Sequence, residues 1–125
     1  MAKSSERGAV AVEMALLLPL LLALVLGIAE FGRAFNAQIT LTHSAREGVR
    51  VMAITKKANE AKAAAINTAV ALNPKLDVAG EILINGSCAT TGDRVTMTIK
   101  YPLDSMTGFI GPFALTGKGV MRCGG

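Results

Sequence analysis

Hydrophobic positions divide the chain into three stretches of different period. From Ala9 to Ala29, twenty-one residues carry one charge, Glu13, and Met14 to Ala29 carries none. As a helix this run would span about 31 Å, close to the hydrocarbon thickness of a bilayer. Its leucines fall on every face, as a lipid-embedded segment requires. Pro19 lacks a backbone donor and predicts a bend, which membrane helices tolerate. From Glu30 to Ile54 no turn residue breaks the pattern, and Phe31, Phe35, Ile39, Thr42, Ala45, Val49 and Met52 recur at steps of three or four. One helix is therefore predicted from about Val10 to Ile54, its second half offering an apolar stripe to a protein partner. Lys56 to Leu72 predicts a second helix with a face of small residues (Ala58, Ala61, Ala65, Ala69) suited to close packing on the first, stopped by Asn73-Pro74.

Beyond Pro74 the period becomes two. Ile82 and Ile84 precede an Asn85-Gly86 turn, and Val95, Met97, Ile99 and Tyr101 alternate with Thr96, Thr98 and Lys100. Leu115 to Cys123 predicts a returning strand. Between them, Phe109, Ile110 and Phe113 are expected to anchor a loop, and the C-terminal glycines to punctuate turns. The fold class is α+β: a long N-terminal transmembrane helix, a short second helix, and an antiparallel sheet of about three strands covered on one face by the helices. The organisation is a polar head at 1–8, a transmembrane segment at 9–30, a helical extension and second helix at 31–73, and a strand-rich region at 74–125.

Composition narrows the function. In 125 residues there is room for one small domain and no enzyme-sized cleft. The positive mean hydropathy comes mostly from the N-terminal third. A net charge of +4, spread without a basic stripe and with few aromatics, gives no footprint for nucleic acid. His43 is the sole histidine, no phosphate-binding glycine motif occurs, and the carboxylates are scattered. A non-enzyme without cofactor or metal is expected. Cys88 and Cys123 have no zinc-ligand spacing. Outside the cytoplasm they would form a disulfide tying the last strand to the loop before the central one, the alternative being two unrelated thiols.

The head Met1 to Gly8 resembles a secretory leader, but the apolar run exceeds a signal-peptide core. The small-x-small triplets at Gly27 and Gly32 suit an ordinary signal peptidase poorly, so a secreted soluble module is the weakest alternative. Glu13 needs a reason: a charge within a span costs about 2.5–3.5 kcal/mol on insertion scales unless it is paired or lies at the surface.

The junction Gly8-Ala9-Val10-Ala11-Val12-Glu13 resembles the processing site of type IV pilins and pseudopilins, in which Glu is the fifth mature residue. The wider stretch from Ala11 to Arg50 is similar to the N-terminal signature of TadE-like proteins, pseudopilins of tight-adherence (Tad/Flp) pilus systems. Ala11-Val12-Glu13, Leu18-Pro19, Glu30-Phe31-Gly32-Arg33 and Ala45-Arg46-Glu47-Gly48-Val49-Arg50 carry that likeness. Met14 departs from the Tyr common in Tad pilins, and Ala9 from the Phe or Met common in classical ones.

The resemblance implies a prepilin peptidase cutting after Gly8 to expose Ala9. It also implies intersubunit pairing of Glu13 with the Ala9 amine of a neighbour. The implied partners are inner-membrane lipid, the peptidase, other pilin or pseudopilin subunits and the Tad assembly machinery. The implied location is the bacterial inner membrane, single-pass, with the C-terminal domain periplasmic or carried into surface pili. Charge counting alone does not favour that orientation, because Arg33, Arg46 and Arg50 follow the span while Lys3 and Arg7 precede it; the cysteine pair and the resemblance do. The alternative is a single-span envelope protein whose outer domain binds a secretion component without entering a filament.

Overall fold

The structure, a computed structural model, describes residues 2–124, with side chains from residue 6 onward. Met1 of the polar head and the Lys3 side chain counted above lie outside them. Six elements follow in order: α1 (Ala2–Thr55), α2 (Ala58–Thr68), α3 (Leu76–Ala79), β1 (Glu81–Asn85), β2 (Arg94–Leu103) and β3 (Phe113–Arg122). The α+β class with one long apolar helix and a three-stranded antiparallel sheet is as expected. Packing divides the chain after Arg33 into two units.

The first unit is helical throughout its described length, through Pro19 included, and residues 6–29 are all exposed. No part of its sequence supplies a second apolar layer, so nothing within the unit can cover the leucines.

The second unit, from Ala34 on, holds the core. The sheet order is β1-β2-β3, with Ile82 opposite Ile99 and Ile84 opposite Met97; on the other side Ile99 faces Gly117 and Met97 faces Gly119. These positions form the inner face. Alternate residues such as Thr98 and Lys118 form the outer one, and β2 shows the alternation most clearly, with Val95, Met97, Ile99, Tyr101 and Leu103 buried. Leu41, Ala45 and Val49 of α1, and Ala61 and Ala65 of α2, complete the core with Leu72 and Leu76.

Close approach of backbones defines this core. A Cβ on Gly117 would collide with the carbonyl of Leu41, and one on Gly119 would stand 2.6 Å from the Ala45 oxygen. Gly48 has the same role toward α2, its Cβ position lying 3.0 Å from the Ala61 oxygen and against the Met97 sulfur. The side chains facing the sheet from α1 are therefore small, and Ser44 is wholly buried among them with its hydroxyl donating to the Thr40 carbonyl at 2.8 Å.

Four expectations need correction. The stripe expected to face a protein partner is divided: Phe31, Phe35 and Ile39 are exposed, whereas Ala45, Val49 and Met52 are buried within the domain, on a face that centres on Ala37, Leu41, Ala45 and Gly48. Backbone contact selects the small residues of that face. Gly117 and Gly119 lie inside β3 rather than in turns. Phe109 and Ile110 do not anchor their loop: they are 94% and 56% exposed, while Phe113 packs on the core. The second helix begins later, because Lys56 adopts φ 58° and closes α1 with a bond from its amide to the Met52 carbonyl, leaving Ala58 exposed. α3, between the Asn73-Pro74 turn and β1, was not foreseen.

Candidate functional site

The candidate processing junction and Glu13 all lie on α1. Gly8 and Ala9 are exposed, and a side chain at Gly8 would meet nothing within 4 Å. Glu13 follows Ala9 by four residues, one helical turn, and shares its face. An 18-residue window of this helix reaches a mean hydropathy of 2.6, and none of it is buried within the chain. That combination separates it from the core helix of a soluble domain, whose apolar residues would be covered by their own chain. The exposed helix can satisfy its apolar surface only with lipid, a partner helix, or both.

At the end of the apolar run Glu30 is buried to 7% exposure, while Phe31 beside it is 81% exposed. Sequence reasoning counted Glu30 among scattered carboxylates; its place directly after sixteen uncharged residues was the available signal.

The Ala45-to-Arg50 segment divides by face. Ala45, Gly48 and Val49 are buried against the sheet and α2, whereas Arg46 and Arg50 are exposed, Arg50 approaching Glu47 at 3.9 Å. That pair is a surface contact of small energetic weight. The segment's apolar half is a packing device, and Gly48 in it is needed for the backbone approach described above.

The two cysteines, far apart in sequence, are joined: Cys88 and Cys123 form a disulfide with Cα atoms 5.4 Å apart. Hydrogen bonds brace it. The Gly92 amide donates to the Cys123 carbonyl at 2.9 Å, and the Cys123 amide donates to the Asp93 carbonyl at 2.8 Å. The Asp93 carboxylate accepts from the Thr90 amide at 2.8 Å, and bonds from the Thr90 amide and hydroxyl hold its pKa below the ordinary aspartate value. At the opposite end of β2, Tyr101 donates to the Pro74 carbonyl at 2.6 Å. His43 is exposed, and among the described residues no three His, Cys, Asp or Glu side chains gather where they could hold a metal ion.

Fold and helix combine one long apolar helix, exposed over its first half, with a small α+β domain whose sheet packs on the second half of that helix. The family model for TadE-like proteins matches residues 8–50, a stretch lying wholly within α1. The resemblance read from the sequence stands over that segment. No curated protein and no solved structure matches the chain.

Proposed function

We propose that this protein is a minor pilin-like subunit, anchored in the inner membrane by α1 and acting in assembly of Tad/Flp-type adhesive pili. The observation that carries the reading is the placement of Glu13. It is the lone charge in an apolar run that the chain does not cover, one turn from Ala9, within the matched segment. A carboxylate there is costly alone and tolerable beside an opposite charge in the same low-dielectric layer. The amine created by cutting after Gly8 would supply that charge from a neighbouring subunit.

Phe35 and Ile39 support the same reading, because their 69% and 45% exposure extends apolar surface beyond the run onto the domain's own helix. Packing between copies of α1, with other pilin or pseudopilin subunits of the Tad machinery, would cover them. The work is mechanical and needs no catalysis or cofactor. The chain would act as a substrate of a prepilin peptidase, with its C-terminal domain on the periplasmic side, where the Cys88–Cys123 bond is chemically at home.

Mass spectrometry of the chain's N-terminus in cells with the peptidase tests processing: a chain starting at Ala9 is expected, and an intact start rejects it. Glu13→Ala is expected to insert in the membrane yet impair piliation; normal piliation would exclude the pairing role. Shearing and fractionation then separate a subunit that travels with filaments from one that stays in the membrane and serves assembly there.

A further inference from the structure

The loop between β2 and β3 presents an apolar tip that the core does not use. Ser105 to Phe113 contains no charged residue, and within it Met106, Phe109 and Ile110 are 67%, 94% and 56% exposed. The tip is shaped: the Gly108 amide donates to the Ser105 hydroxyl at 2.9 Å, and Gly108 takes φ 70°, a conformation that glycine adopts without strain. Three large exposed apolar side chains within five residues of one turn concentrate apolar surface at this tip.

Along α1 and β3, Gln38 donates to the Thr116 carbonyl, Leu41 lies against Gly117 and Ala45 against Gly119. Both elements therefore run in the same direction. Followed backwards, the helix reaches Ala34 about 10 Å before Leu41, and the strand reaches Phe113 about 13 Å before Gly117. Ala34 and Phe113 both pack on the core. The loop thus leaves the domain at the end from which the chain passes into the apolar run.

We infer that the β2–β3 loop is a lipid-docking element, inserting Phe109 and Ile110 into the interface of the bilayer that holds α1. The inference rests on the membrane reading of α1. An apolar tip in this position buries to about 5–10 Å, at the boundary of headgroup and acyl chain.

The chain has no tryptophan, so single introductions report one site each. Full-length Phe109→Trp, Leu22→Trp and Ile54→Trp are reconstituted in phosphatidylcholine vesicles containing lipid brominated either near the headgroup or near the tail end. All three positions are exposed, so the replacements leave the core intact. The expected pattern is stronger quenching of Phe109→Trp by the shallow bromine, stronger quenching of Leu22→Trp by the deep one, and none of Ile54→Trp. If Leu22→Trp is quenched and Phe109→Trp is not, the loop inference fails and the anchor stands. If Leu22→Trp is not quenched, the anchor fails and takes the loop inference with it. Phe109→Trp emission that ignores bromine but shifts to the blue as protein density rises would show a second copy covering the loop, which also overturns it.

Discussion

Adding one carbon to β3 tests whether backbone contact between strand and helix defines the core. In Gly119→Ala the new Cβ would stand 2.6 Å from the Ala45 oxygen, 2.7 Å from its carbon and 2.9 Å from the Arg46 nitrogen. All three atoms are helix backbone, so no rotamer change relieves the overlap. Restoring ordinary contact requires strand and helix to part by about 0.8 Å, and a gap of that size forfeits a quarter to a half of the attraction between the atoms it separates. Leu41, Ala45 and Val49 sit on that seam at 0–1% exposure, so the loss is not taken up by solvent. Overpacking of this kind costs about 1–3 kcal/mol, and the lower entropy of an unfolded alanine returns about 0.4–1. The net is a destabilisation of about 1–2 kcal/mol, or about 5–10 °C in Tm for a domain of this size. Gly111→Ala is the matched control, since a Cβ there meets nothing within 4 Å and its φ is not left-handed; it should be neutral or slightly stabilising. Tyr101, the only tyrosine and buried to 1%, gives a near-ultraviolet dichroism signal from the core itself, read on the full chain in mild detergent. A Gly119→Ala protein that melts with the wild type would refute the argument, as would an equal loss in Gly111→Ala.

Other contacts make separate predictions. Tyr101→Phe removes the bond to the Pro74 carbonyl and should cost about 1 kcal/mol, followed by far-ultraviolet dichroism because the variant loses the aromatic reporter. Opening the Cys88–Cys123 bond, which spans 35 residues, should cost about 3–4 kcal/mol on the chain-entropy account; the urea midpoint with and without reductant measures it, and an unchanged midpoint contradicts it. Asp93 has a folded pKa below its unfolded value, so its contribution is full above the ordinary aspartate range and disappears as pH falls through the depressed folded pKa. Melting temperature against pH should therefore fall less steeply with acid in Asp93→Asn than in the wild type.

Much of the fold was legible because it follows side-chain periodicity. The alternation from Val95 to Tyr101 marked β2, and Asn85-Gly86 marked the end of β1. What could not be read has one physical origin. Where α1 lies on the sheet, backbone meets backbone, and the residues that permit this are Gly48, Gly117, Gly119 and the alanines, which carry almost no hydrophobic signal. A reading weighted by side-chain size ran one partner-facing stripe from Phe31 to Met52, passed over the buried face at Ala37, Leu41 and Gly48, and sent the C-terminal glycines to turns. The spacing of Gly117 and Gly119, two apart in a strand, was the available clue: period two puts both on one face. The same weighting expected Phe109 and Ile110 to anchor their loop, although the inner face there is filled by Tyr101, Leu103 and Phe113. For the candidate site, the Gly8-to-Glu13 spacing was legible from sequence alone, whereas Glu30, directly after the uncharged run, was passed over as one of several scattered carboxylates.

The matched segment ends at Arg50, inside α1, and this boundary has a structural counterpart. Residues 8–50 make two different demands of one helix. Up to Ala29 the helix is exposed and, Glu13 apart, apolar on all sides. From Ala34 it must be small on one face, a constraint set by the strands that touch its backbone at Leu41 and Ala45. The sheet needs much less of its own sequence in return: glycine at two positions of β3 and alternation in β2, with the outer face from Thr96 to Lys100 free to be polar. A helix that specifies both its surroundings and its docking partner carries a dense pattern, and a sheet that answers it with periodicity and two glycines carries a sparse one. The segment that resembles TadE-like proteins therefore lies wholly within α1, and the surfaces that α1 does not dictate, namely the β2–β3 tip, the outer face of the sheet and the disulfide-braced loop, lie outside it.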